Sequence, residues 1–251
     1  MKHLSGDVIY NCIKRTGETS DEHGVLLKEH AMDIYVSVCP TKESGVDSLG
    51  AGEFYASVVC TEELLEELVI GRLVCDGMIK SLEEVKSLEV SGDHSVADVE
   101  IVQKKLLNFP KEDSCEHLQI TYPNEWIFAM ADVMAAGMPL HEKTWSVHSC
   151  YLFGQGELLF CCEDISRHNA VDKVIGYAVK NRIELSQCAL YTSGRVPADM
   201  IDKVIVAGIP VLVSKGMPTM QAVELAKEAK VTLVCGARRD QMRIYADYRK
   251  K

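Results

Sequence analysis

The stretch Glu163-Asp164-Ile165-Ser166-Arg167-His168-Asn169-Ala170-Val171-Asp172-Lys173 sets acidic, basic and amide side chains side by side over roughly three helical turns. Arginine, lysine and histidine in that density can hold an anionic ligand, and the carboxylates can orient them. His168 and Asp172 are four residues apart, on one helical face, so Asp172 can steer the imidazole toward a ligand. The same residues also read as a capping and salt-bridge cluster, with acids ahead of a helix and bases within it. Spacing fixes no third ligand, so a metal site is not expected.

The elements around the motif give it a place. Leu158 to Cys162 reads as a buried strand, and Val171, Val174, Ile175 and Ala178 recur at helical spacing, so the motif falls on a strand-to-helix turn. Gly154-Gln155-Gly156 marks a hairpin between the strands 146–153 and 157–162. Beyond the motif the pattern alternates: helix 167–181, strand 187–192, helix 197–207, strand 210–214, helix 218–230 and strand 231–235, with Pro197 and Pro218 at helix starts. Such a series implies a parallel sheet with right-handed crossovers.

Four loops then fall at the carboxyl ends of four strands. They are Glu163 to His168, Ser193-Gly194-Arg195, Ser214-Lys215-Gly216-Met217-Pro218-Thr219, and Gly236-Ala237-Arg238-Arg239. Each brings a basic residue and all four can converge, which predicts a positive, N–H-rich rim suited to a phosphate-bearing small molecule.

The first half is α+β in character. Residues 1–24 read as a loosely held or edge-strand arm. Met32, Ile34, Val36 and Val38 alternate as a half-buried strand, and 54–60 makes a second. Thr61 fits an N-cap for a helix bearing Leu64, Leu65, Leu68, Val69 and Leu73, ended by Gly77, and 96–102 is the clearest later strand. Asn124 fits the cap of a helix faced by Ile127, Met130, Ala131 and Met134. The expected division is an N-terminal α+β subdomain over 1–108, a loop over 109–122 that is a surface connection or a mobile arm, and an α/β core over 123–251.

A net charge of −10 excludes a general nucleic-acid binder, which needs a basic surface. No apolar run approaches the roughly 18 residues of a membrane span, and the N-terminus lacks a secretory signal's apolar stretch, so a cytoplasmic protein without membrane contact is expected. None of the ten cysteines stands in a Cys-x-x-Cys pair, which argues against structural zinc and thioredoxin-like chemistry; most read as small buried apolar residues. Cys115 differs, lying in the polar loop Pro110 to His117 as an exposed thiol whose acidic neighbours Asp113 and Glu116 raise its pKa. His148 and Cys150 share a strand face, and read as a packed histidine and a buried cysteine rather than a nucleophile pair.

The motif at 163 to 173, with Thr192-Ser193-Gly194-Arg195-Val196, Ala207-Gly208-Ile209-Pro210 and Pro218-Thr219, resembles the FdhD/NarQ family of formate dehydrogenase accessory sulfurtransferases. Thr61-Glu62-Glu63-Leu64, Gly71, Asp76-Gly77-Met78-Ile79, Arg238 and Tyr245 extend the resemblance over most of the chain. It implies a cytidine-deaminase-like α/β core, with three layers and a mainly parallel sheet, plus a smaller α+β subdomain, in a homodimer. It further implies a sulfur carrier that takes sulfur from a cysteine desulfurase. The sulfur passes to the molybdenum cofactor in its bis-guanine dinucleotide form, bound as cargo and delivered to formate dehydrogenase.

By the same resemblance Cys115 is the persulfide candidate. His148, Glu163, Asp164, Arg167, His168, Asn169, Asp172, Lys173, Ser193, Gly194, Arg195, Lys215, Pro218, Thr219 and Arg238 are the cofactor-binding candidates. Zinc is not expected, because the deaminase His-x-Glu and Pro-Cys-x-x-Cys ligands are absent. Two departures stand out. Where the family has Cys-x-x-Cys this chain has Cys115-Glu116-His117-Leu118, so either one sulfur suffices or the chain is a cofactor-binding chaperone without sulfur transfer. Where the family has Thr-Gly-Gly before its histidine, this chain has Thr144-Trp145-Ser146-Val147-His148.

Overall fold

The computed structural model describes residues 3–39, 52–102 and 120–250. The chain opens with strands β1 (Ser5–Ile13) and β2 (Thr19–Leu27), an antiparallel hairpin where a loosely held or edge-strand arm is expected. Its pattern is hard to read because both faces are largely wet, with Ile9 and Ile13 exposed. Leu4 and Leu27 tie it to Leu140 and Val147.

Next come β3 (His30–Cys39), β4 (Glu53–Cys60), α1 (Leu65–Cys75), β5 (Val85–Val90) and β6 (Val96–Val102), whose strands form a sheet of order β4-β3-β6-β5. The period-2 pattern holds: Met32, Ile34 and Val36 of β3 and Ala97, Val99 and Ile101 of β6 are buried side by side. α1 ends as expected at Gly77, whose N–H meets the Val74 carbonyl while Met78 N–H reaches back to Leu73, a Schellman closure. Its start is a correction. The residue before the helix is Leu64, in left-handed backbone with no side-chain cap, and Thr61 lies buried elsewhere.

The remainder comprises α2 (Asn124–Ala135), α3 (Pro139–Thr144), β7 (His148–Gly154), β8 (Glu157–Asp164), α4 (Arg167–Lys180), β9 (Cys188–Thr192), α5 (Ala198–Val206), β10 (Val211–Ser214), α6 (Met220–Glu228), β11 (Thr232–Cys235) and β12 (Arg243–Ala246). The six-stranded sheet has the order β12-β11-β10-β9-β7-β8. β9, β10 and β11 pair in parallel, and β7 is antiparallel to both its neighbours, so β8 points the same way as those three. The parallel sheet expected from the strand-helix alternation is thus a centre of three strands: β12 runs antiparallel to β11, and β7 inserts antiparallel between β8 and β9. The hairpin turn at Gln155-Gly156 has positive φ at both residues, the handedness that suits the strand twist.

Alternate side chains serve opposite faces. Tyr151, Phe153, Tyr191 and Val213 pack on Ile127, Met130 and Met134 of α2. Leu152, Leu190, Leu212 and Leu233 meet the layer of α4, α5 and α6. That second core continues without a break through α1 into the four-stranded sheet.

Three local readings need correction. The run from Leu158 is an edge strand, with Leu158 and Leu159 more than two-fifths exposed; apolarity alone does not separate edge from centre. Asn124 is the first helical residue and accepts from Arg249 instead of capping. Pro197 and Pro218 precede their helices, and the Thr219 hydroxyl caps α6. Among the described residues no helix is long and apolar enough to cross a membrane.

The α1–α4 contact sets the geometry of everything that follows. A Cβ on Gly71 would stand 1.7 Å from the Asp172 carbonyl oxygen, and one on Gly176 1.8 Å from that of Glu67. The two backbones touch, which only glycine at both crossing points permits.

Candidate functional site

Beneath the strand ends lies a buried polar knot. Asp164 closes β8 and Lys173 stands on the second turn of α4; both are fully buried and 2.6 Å apart. Lys173 Nζ also donates to the Thr61 carbonyl and hydroxyl, at 3.0 and 2.7 Å, and the Thr61 N–H donates to Asp164 Oδ2. Asn169 Nδ2 donates to Asp164 Oδ1 and to the Val59 carbonyl. The knot thus pins the start of α4 to the end of β4.

These contacts revise the roles expected of the motif. Lys173 and Asp164 are not ligand contacts in this arrangement, because burial hides them and their polar atoms serve one another and Thr61, while Asn169 gives its amide N–H groups to Asp164 and Val59 and lines the cleft beside α4. Asp172 does not steer His168; it is buried against Lys203 Nζ at 2.6 Å, and His168 Nε2 instead lies 3.4 Å from Asp199 Oδ2. Glu163 accepts from the N–H groups of Leu140 and His141, holding the first turn of α3 to β8. Thr61 is the participant that sequence reading misses, because a threonine before two glutamates is indistinguishable from an N-cap until the fold brings α4 beside it.

Above the knot the four loops lock together. Ser193 N–H donates to the Ser149 carbonyl, Lys215 N–H to that of Thr192, and Gly236 N–H to that of Gly216. The Ser214 hydroxyl donates to the Gly194 carbonyl at 2.6 Å, and Arg238 Nη1 to the Lys215 carbonyl at 2.6 Å. Gly194 and Gly216 are needed for this closeness. A Cβ on Gly194 would come within 2.9 Å of the Arg167 side chain, and one on Gly216 within 2.5 Å of the Gly194 carbonyl. Thr219 and Pro218, expected as ligand contacts, are engaged in the α6 cap and in a bridge to Val196.

The rim presents Arg195, Lys215 and Arg238 to solvent, with Ser193, Arg167, His148 and His168 half-buried behind them. Among the described residues Arg167 Nε is buried with no hydrogen-bond partner, as are Tyr151 Oη and Asp172 Oδ2. On the other side of the α4 N-terminus a cleft of about 540 Å³ is lined by His168, Ser166, Arg72, Lys203 and Asp199.

His148 lies across from Asp164 on β7 and shares a hydrogen bond with Ser193 Oγ at 3.2 Å. Burial, then the nearby Arg167 guanidinium, push its pKa below the ordinary 6.5. The imidazole is neutral at pH 7. The unfolded chain therefore takes up the proton first on acidification, so this contribution to stability is present above pH 6.5 and is lost as pH falls toward the folded value. The expected NMR titration midpoint lies below 6.5, and His148→Gln shallows the acid limb of the stability curve; a midpoint at or above 6.5 contradicts the assignment.

All nine described cysteines are free thiols with raised pKa, for most of them because burial disfavours the thiolate. Cys150 is fully buried and the partner of His148 is Ser193, so the strand-face pair makes no activated nucleophile. Cys115 lies outside the described residues. Among the described residues no group of three His, Cys, Asp or Glu is placed to hold a metal ion.

Fold and rim together define an α/β protein with a cationic, donor-rich crevice at the carboxyl ends of its strands, the usual ligand position in such sheets. Comparison with known proteins narrows this. The FdhD/NarQ family model matches residues 107–250, and the chain belongs to the FdhD/NarQ family. It is 29% identical to "Protein FdhD" of Methanocaldococcus jannaschii, over 87% of this chain and 91% of the relative. It is 30% identical to "Sulfur carrier protein FdhD" of Geobacillus kaustophilus, over 77% of this chain and 82% of the relative. A crystal structure from Desulfotalea psychrophila, described as a candidate formate dehydrogenase accessory protein, superposes with a TM-score of 0.80 at 25% identity, covering 97% of each chain.

Proposed function

We propose that this chain is a sulfur carrier for formate dehydrogenase maturation that holds a guanine-nucleotide-bearing molybdenum cofactor as cargo at the strand-end rim. The observation that supports the reading is the meeting of the 193–195, 214–219 and 236–239 loops, with the Arg167 side chain against Gly194 and its buried Nε without a hydrogen-bond partner. Arg167 and Arg195 supply forked donors to phosphate oxygens, while Lys215 and the helix starts add charge and N–H groups. His148, neutral at pH 7, donates or accepts one hydrogen bond beside them without adding charge.

Sulfur arrives on Cys115. Its thiolate attacks the outer sulfur of a cysteine desulfurase persulfide, forming the Cys115 persulfide and releasing the desulfurase thiol, so no external oxidant is needed. The outer sulfur then passes to the cofactor, the Cys115 thiolate leaving and a two-electron reductant bringing the sulfur to the sulfide level, and the cofactor is delivered to formate dehydrogenase. The working unit is a homodimer. A second reading, a chaperone that binds cofactor without moving sulfur, is favoured by the single cysteine in Cys115-Glu116-His117-Leu118.

Two measurements separate these. Desulfurase with labelled cysteine is expected to load sulfur on the wild type and not on Cys115→Ala; equal loading removes the carrier role and leaves the chaperone. GDP titration is expected to show binding weakened about tenfold or more in Arg167→Ala, the loss of one charged contact to phosphate. Equal affinity in that variant and in Arg195→Ala defeats both readings.

A further inference from the structure

Trp145 is the most exposed large apolar side chain of the described residues, at 79%, and it closes the short helix α3 whose first turn Glu163 of the 163–173 motif holds. Its backbone is in the left-handed region, φ 55°, which tryptophan rarely occupies and glycine adopts freely. An exposed indole held at a conformational cost is not explained by packing.

The surrounding bonds show how the position is enforced. Trp145 N–H donates to the His141 carbonyl at 2.8 Å, closing α3, and the Thr144 hydroxyl and the Ser146 hydroxyl tie the turn from either side. Glu163 holds α3 in turn, so the rim motif itself fixes where Trp145 stands. The indole lies 5.4 Å from the His141 imidazole, and three residues on is His148, bonded to Ser193.

We infer that Trp145 is a stacking platform for the purine base of the nucleotide whose phosphates the rim holds. This rests on the phosphate-binding reading of the rim and adds a base-binding residue to it. An exposed π surface on the α3 turn, tied through Glu163 to the strand end that carries the rim motif, fits a nucleotide with its base on the ring and its phosphates on the arginines. Stacking needs no hydrogen-bond readout, so the platform supplies affinity while the rim supplies the anchor.

The chain contains two tryptophans, and Trp126 is packed against Tyr122 in the cluster on the α2 face, which makes a clean optical reporter possible. In a Trp126→Phe background, GDP is expected to quench the emission of Trp145, and inorganic pyrophosphate is not. Trp145→Gly is expected to bind GDP about tenfold more weakly while pyrophosphate affinity is unchanged, and Trp145→Phe to keep most of the GDP affinity. Trp145→Gly also relieves the left-handed strain, so its melting temperature is expected to equal or exceed that of the wild type; if it fails to fold, Trp145→Ser is titrated in its place. Undiminished GDP affinity in the non-aromatic variant overturns the platform and leaves the rim reading standing. Absence of GDP binding by the wild type overturns both.

Discussion

Gly176→Ala is expected to destabilise the chain by about 4 kcal/mol or more, beyond the usual cost of one extra methyl in a core. The added Cβ would sit 1.8 Å from the Glu67 carbonyl oxygen, a backbone atom that cannot rotate away. Only separation of α1 from α4 relieves the clash. Separation withdraws Thr61 and Val59 from Lys173 and Asn169, so the polar knot opens with the helix pair. Gly71→Ala meets the Asp172 carbonyl at 1.7 Å and is expected to behave alike. Urea unfolding measures both; unfolding free energies within about 0.5 kcal/mol of wild type would mean that the helices do not cross backbone to backbone.

Lys173→Met is expected to cost about 3–5 kcal/mol, the range for removing one partner of a buried ion pair. The loss has two sources. Asp164 stays fully buried without its cation 2.6 Å away, and the Thr61 carbonyl and hydroxyl lose their donor. Adding Asp164→Asn to Lys173→Met is expected to recover part of that loss, because the stranded charge is then gone. Thermal or urea unfolding of the two single variants and the double gives the coupling directly. A Lys173→Met protein as stable as the wild type would place this lysine at the surface, contrary to its burial.

The sequence's periodicities carried most of the C-terminal architecture. Alternating strands and helices after Glu163 led to the shared direction of β8, β9, β10 and β11 and to their loops at one end of the sheet, because a strand that returns through a helix runs parallel to the one before it. Two things were not legible. The edge position of Leu158 and Leu159 depends on sheet order, which a run of apolar residues does not encode. The partners of Asp164, Asn169 and Lys173 lie more than a hundred residues upstream, at Val59 and Thr61, and no local spacing announces them.

Residue chemistry without that tertiary partner favoured ligand contact for the whole motif, and only its Arg167 and His168 remain in that role. The carboxylates expected as orienters and the lysine expected as a ligand contact turn out to be the scaffold. Asp164 and Lys173 hold the helix start, Glu163 holds α3, and Asp172 is paired with Lys203. The polar density of residues 163 to 173 therefore reports structural bonds and ligand donors in one segment. Separating the two required seeing which side chains the fold buries.

The most direct measurement is a crystal structure of the chain with GDP bound. The expected result is a diphosphate within hydrogen-bond distance of the Arg167 and Arg195 guanidinium groups, between the Ser193-Gly194-Arg195 and Lys215-Gly216 loops. A diphosphate bound instead in the cleft between Arg72 and Lys203, or at the opposite end of the sheet near Ile120, would contradict the assignment of the strand-end rim as the cofactor site.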